Sequence, residues 1–121
     1  MKSLLLFMLL TVFGPVEFDK TVHDFGEVSI KDGPQVCEFS VKNISEDPVS
    51  ILAVVASCGC TEVKWTRTAI APGESGIIEI EYANDEPDTV FNKSVTVFIS
   101  EEQKPFVLHF RGKTTNKKKK K

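Results

Sequence analysis

The sequence predicts an all-β domain, an immunoglobulin-like antiparallel β-sandwich. Three observations lead there. From residue 16 onward apolar side chains recur with period two, clusters of Gly, Pro, Asp and Asn punctuate these runs, and no stretch keeps helical periodicity for three turns. Strict alternation sends one side of a strand into a core and the other into water, as antiparallel sheets do. About seven short strands in roughly one hundred residues is the spacing of a two-sheet sandwich.

The elements follow in chain order. A segment around Phe18–Phe25 reads as the first strand. In Gln35–Asn43, Cys37, Phe39 and Val41 share one face while Glu38, Ser40 and Lys42 share the other. Val49–Ser57 is almost continuously apolar, which suits a central strand covered on both sides, or one whose second face meets a partner. Thr61–Trp65 is short. In Gly76–Tyr82, Ile78, Ile80 and Tyr82 oppose Glu79 and Glu81. Val95, Val97 and Ile99 alternate with Ser94, Thr96 and Phe98, and Phe106, Leu108 and Phe110 alternate with Val107, His109 and Arg111. Between them, Lys31–Pro34, Ser45–Pro48, Ala71–Gly73, Asn84–Asp88 and Glu101–Pro105 carry the fixed or permissive backbone angles that end strands. The antibody-type disulfide between the second and sixth strands is excluded: Cys37 has no partner in the 91–100 strand, and Trp65 falls too late. The core must hold by apolar packing.

A length of 121 residues predicts one domain. Its ends differ from its middle. Met1-Lys2 precedes an apolar run, Leu4–Phe13, broken only by Thr11. About ten such residues behind one positive charge fit a secretory signal peptide and fall short of a membrane span. The expected division is therefore a signal peptide over 1–14, a sandwich over 16–113 and a disordered lysine-rich tail over 114–121, with the protein exported to the periplasm or beyond. Residues 15–116 carry 9 basic against 17 acidic side chains, a net of −8. This disfavours nucleic acid binding by the folded body, because neutralising phosphates needs a basic face. Lys117, Lys118, Lys119, Lys120 and Lys121 have nothing apolar to pack and are suited to touching an anionic surface.

Several runs together resemble one known family: Val16-Glu17-Phe18, Val22–Val28, Phe39–Asn43, Ser57-Cys58-Gly59-Cys60-Thr61, Trp65, Ile70–Gly76 and Tyr82. They are similar to an exported bacterial family, domain of unknown function 1573, over about Val16 to Gly112. The most specific element is Ser-Cys-Gly-Cys-Thr followed by a Pro-Gly-Glu turn. The resemblance implies an immunoglobulin-like sandwich akin to major-sperm-protein and hydin-type domains, which mostly act as interaction modules. It brings no activity, and it covers neither Cys37 nor the lysine run.

Cys58-Gly59-Cys60 is the only candidate for chemistry. The residue types allow a corner after the Val49–Ser57 strand with one or both sulfurs packed inward, because a free cysteine behaves as a small apolar side chain. They also allow a small disulfide ring, for which Gly59 supplies backbone freedom. An exposed ring of this kind would be easily reduced. Two adjacent thiolates also suit Cu(I), whereas a tetrahedral Zn site lacks further ligands at recognisable spacing, His23 and His109 being scattered. Cys37 alternates inward and reads as a core thiol. His109 reads as a surface residue and His23 as a local hydrogen-bonding partner. The acceptor-like triplets Asn43-Ile44-Ser45 and Asn92-Lys93-Ser94 read as chance, and no acid–base dyad, phosphate loop or Ser/His/Asp set stands out. The expectation is a non-enzymatic module binding another envelope protein, through Phe98, Val107 and the apolar 49–55 strand. The alternative is a thiol redox or Cu(I) protein acting through Cys58 and Cys60.

Overall fold

A computed structural model of the chain describes residues 14–115. The expected signal peptide, apart from Gly14, and the Lys117–Lys121 run lie outside the described residues. Within them are eight strands: β1 Val16–Phe18, β2 Val22–Ser29, β3 Gln35–Asn43, β4 Ile51–Ala56, β5 Thr61–Trp65, β6 Ser75–Tyr82, β7 Val90–Ile99 and β8 Phe106–Thr115. One sheet has the order β1-β3-β6-β5 and the other β2-β8-β7-β4. The predicted immunoglobulin-like sandwich is present, without an antibody-type disulfide.

The alternating residues do what their period requires. Phe39, Val41, Ile78 and Ile80 from the first sheet meet Val95, Val97, Leu108 and Phe110 from the second, all with no exposed surface. Tyr82 stacks on Phe91 with ring centroids 4.4 Å apart. Each fully buried Val, Leu, Ile or Phe contributes about 1.5–3 kcal/mol, which lets a domain of this size hold without a staple between its sheets.

Four expectations need correction. The Phe18–Phe25 segment is two strands in different sheets, which raises the count from seven to eight. The chain switches sheet at Asp19, whose carboxylate accepts the Ser40 N–H at 2.8 Å. Second, the sandwich is not wholly antiparallel, since β2 runs parallel to β8 from Val22↔His109 to Ser29↔Thr115. Third, the apolar 49–57 run is no central strand: β4 stands at an edge, with Leu52 61% and Val55 54% exposed. Fourth, the predicted tail begins too early. Thr114 and Thr115 are buried in β8. The Thr114 N–H donates to Thr89 O at 2.8 Å, and its Oγ1 accepts the Thr89 N–H at 3.1 Å. A hydroxyl that closes a loop in this way is as well placed inside as an apolar group.

One buried polar side chain sets the geometry next to β4. Asn43 has no exposed surface, and its Nδ2 donates to Asp47 O and Ile70 O, both at 2.8 Å. Ile70 in turn exchanges both main-chain hydrogen bonds with Val49, at 3.0 and 2.7 Å. The link between β5 and β6 is thereby fastened to the strand that precedes β4.

Candidate functional site

The cysteine corner joins an edge of one sheet to an edge of the other. After β4, Ser57 is tied to β7: its N–H donates to Ser94 O at 2.9 Å, and its Oγ accepts the Ser94 N–H at 3.1 Å. The next three residues turn the chain towards β5. Cys58 and Cys60 are joined in a disulfide, with Cα atoms 5.1 Å apart. The Cys60 N–H points at Cys58 Sγ at 3.0 Å, and Cys60 O accepts the Ala83 N–H at 2.9 Å. Of the arrangements the residue types allowed, the sulfurs adopt the ring rather than packing inward as free thiols. Both cysteines are half-buried, with Cys60 against the rim of the core. Gly59 is not among the glycines with positive φ, so the turn does not use the left-handed region.

The surroundings of the disulfide are acidic. A shallow cleft of about 270 Å³ opens beside it, lined by Pro34, Gly59, Cys60, Glu62, Glu81, Ala83 and Asp85. Glu62 and Glu81 face each other across the β5–β6 ladder. Of the nearby cations, Lys64 stands opposite Glu79 in the β5–β6 register, and the Arg67 guanidinium lies 3.9 Å from the Trp65 ring centroid. A thiolate generated here would sit among carboxylates, whereas nucleophilic cysteines are activated by positive neighbours. Cys37 is buried on β3, and burial pushes its thiol up to about 11. His23 and His109 lie on β2 and β8, across the second sheet from β4. Among the described residues no group of three His, Cys, Asp or Glu is placed to hold a metal ion. Glu81 and Asp85 are near each other in the sequence but Glu62 is remote from both, and only the β5–β6 register brings it to them.

The second cluster is apolar and lies on the outer face of the second sheet. Val55 of β4 and Val107 of β8 both pair with Thr96 of β7, and Phe98 pairs with Ala53. One row further, Val22 pairs with His109, which pairs with Ser94. Leu52, Val55, Phe98, Val107 and Val22 are each at least 39% exposed. Phe98 and Val107 stand where the alternation placed them. Leu52 and Val55 were hidden inside a continuous apolar run, and a register shift between Ile51 and Ala53 brings Leu52 out. No charged residue interrupts the Val55–Thr96–Val107 and Ala53–Phe98 rows. The outer face of the first sheet is the opposite case, presenting Glu38, Glu79, Glu81, Glu62, Lys64 and Lys42 with only Val36 and Ile77 among them.

The profile of a family described as "Protein of unknown function (DUF1573)" matches residues 16–114, nearly the whole described chain. The chain belongs to this family. DUF1573 carries no assigned activity in that description. No curated protein matches the chain. Among solved structures, it is similar to a protein of unknown function from Porphyromonas gingivalis W83, with a TM-score of 0.66 and 14% identity over 85% of this chain and 50% of that one. It is also similar to the ASH/PapD-like domain 7 of human CEP192, with a TM-score of 0.61 and 10% identity over 90% and 93%. A third is WR4, a major-sperm-protein family member of C. elegans, with a TM-score of 0.58 and 8% identity over 85% and 100%. The chain thus spans about half the length of the Porphyromonas protein. At these identities the likeness shows the fold alone, and it is the fold the resemblance to DUF1573 implied.

Proposed function

We propose that this DUF1573 protein is an exported, non-enzymatic interaction module that holds another cell-envelope protein against the outer face of its second sheet. The observation that carries this is the uncharged apolar stripe of Leu52, Val55, Phe98 and Val107 on a body whose net charge is −8. A monomer gains nothing from leaving such side chains in water, whereas rimmed apolar patches are typical of contact surfaces. Export is supported by the Met1-Lys2 start and the Leu4–Phe13 run, and a disulfide suits an oxidising compartment. The Lys117–Lys121 run adds an affinity for anionic envelope surfaces. Site-specific photo-crosslinkers tested in cells that make the protein separate the two faces. A crosslinker at Phe98 or Val107 yields a discrete adduct, while one at Glu38 or Glu79 on the first sheet does not. Equal labelling from both faces, or none from Phe98 and Val107, removes the proposal.

A second reading is favoured by the half-exposed disulfide: thiol exchange, or Cu(I) binding after reduction, at Cys58 and Cys60. The acidic cleft and the stacking of Arg67 on Trp65 weigh against it. Titrating thiols in native and unfolded protein, before and after mild reductant, decides the matter. The redox reading requires two thiols that reduce readily and react in the native state, and the copper reading requires Cu(I) retention that Cys58→Ser/Cys60→Ser abolishes.

A further inference from the structure

We infer that the open edge of β4 takes up a short, uncharged, extended peptide segment of the partner as an additional strand of the second sheet. The inference rests on the interaction-module reading and names the partner's chemistry. Exposed strand edges invite pairing with other chains, and proteins guard them with shortness, charges, bulges or Pro. Three of the four edges here are guarded. β1 has three residues and carries Glu17. β5 carries Glu62 and Lys64. β2 carries His23, Asp24 and Glu27 and is bent by a bulge at Gly26, where φ is +73°. β4, Ile-Leu-Ala-Val-Val-Ala, has neither charge nor Pro, and Ser50 and Ser57 flank it. Its register shift lies at the start, between Ile51 and Ala53, and leaves Ala53–Ala56 in regular pairing with β7.

The structure also sets the length and line of the occupant. Val49 pairs with Ile70 on this side of the strand, so one rung of a neighbouring strand already exists there. Buried Asn43 holds that rung in place. Beyond it the chain departs, and the cysteine corner closes the other end of the edge. The Ser57–Ser94 bond fixes the phase of the β4–β7 ladder. Alternation along an antiparallel pair then turns the main-chain groups of Val54 and Ala56 to the open side. Between Ile70 and the corner lie the six residues of β4, about 20 Å of strand. A segment of five or six residues continues the line that Ile70 begins. Its outward side chains extend the Leu52, Val55 and Phe98 stripe, so they are apolar or Thr-like. A carboxylate or ammonium there would lose hydration without a partner of opposite charge.

The probe is a capped seven-residue peptide of alternating Thr and Val, added to the full chain while amide exchange is followed residue by residue. Exchange at Val54 and Ala56 slows tenfold or more, and the edge amides of β2 and β5 do not change. A peptide N-methylated at its central residues, or with Glu in place of each Val, gives no slowing. Val55→Lys weakens the effect at least tenfold without moving the unfolding midpoint. Slowing at β2 or β5 instead, no slowing at all, or slowing that follows protein concentration without peptide (a second copy as occupant) overturns the inference. If strand addition fails while crosslinkers at Phe98 and Val107 still capture a partner, the module stands and only its mode of binding is lost. If both are silent, both fall.

Discussion

β2 and β4 close the same sheet on opposite sides, and they handle exposed backbone in opposite ways. β2 is paired in parallel to β8, bent at Gly26, and charged. Asp24 accepts the Gly26 N–H at 2.8 Å and lies 3.3 Å from Arg111 Nε. The β4 edge carries six uncharged residues and ends at a disulfide. One side of the sheet is thus built against further pairing and the other is left able to accept it. The difference is the ground for the proposed strand addition at β4, and the two sides should answer differently when disturbed.

The largest effect is expected on the guarded side, at Gly112. A Cβ there would lie 2.8 Å from Gly26 O and 2.8 Å from the Phe91 ring, so β2 and β8 approach as closely as they do only because the position has no side chain. Gly112→Val should cost about 1–3 kcal/mol by overpacking and should loosen β2 before β4. Urea unfolding gives the size, and amide exchange shows which edge opens. Equal loosening of both edges would contradict the independence of the two sides.

Next comes the corner on the open side. Cys58→Ser/Cys60→Ser opens a very short loop, for which chain entropy gives about 1–2 kcal/mol. Exchange should then quicken at Ser57 and Thr61 while β2 stays as it was. A loss far beyond this would make the ring the staple of the whole sandwich, which the continuous core argues against.

Both perturbations fall on features of unequal legibility in the sequence. The inward set was readable because period two admits one face per strand: Cys37, Phe39 and Val41 are buried, as are Ile78, Ile80 and Tyr82. β4 was not, since an apolar run fits a strand covered on both sides as well as an edge strand with a face for a partner. Neither was the parallel pairing of β2 with β8, because strands whose paired residues lie 86 or 87 positions apart leave no local mark of their direction. The disulfide partners are separated in the sequence by Gly59 alone, but Glu62 joins the other acids beside them only through register. Thr114 reads as tail in the sequence because polarity along the chain says nothing about a hydroxyl that closes a buried loop.

A smaller effect separates the bulge from the packing around it. Gly26 has nothing within 4 Å of where a Cβ would stand, yet its φ is +73°. Gly26→Ala should therefore cost about 1 kcal/mol from backbone conformation alone. If the bulge is what guards β2, a variant that removes it, with Gly26 deleted, should begin to associate at high concentration, which sedimentation would detect. A deletion variant that stays monomeric would shift the guarding role to Asp24, Glu27 and Arg111.

The smallest effect is a pH dependence confined to the β2 side. His23 Nδ1 lies 2.9 Å from Lys20 Nζ, and its ring meets Phe25 edge-on with centroids 4.6 Å apart. Burial lowers its pKa below 6.5, the Lys20 charge lowers it further, and Asp24 opposes both. The folded state therefore favours the neutral ring, which can accept from the lysine ammonium; a protonated ring cannot. The contribution is fully present above pH 6.5 and is lost as pH falls from there through the lower folded value. The Gly26 N–H and then Arg111 hold the Asp24 carboxyl below 3.8, so its contribution is present above 3.8 and disappears only as pH falls through its folded value. The two windows are distinct. Between pH 8 and pH 5 the urea midpoint should decline slightly in the parent protein and stay flat in His23→Gln, with the change in amide exchange seen along β2 and absent from β4. A midpoint that rises on acidification through this range would mean that His23 is held as the imidazolium, and the Lys20 contact would then have to be repulsive rather than a hydrogen bond.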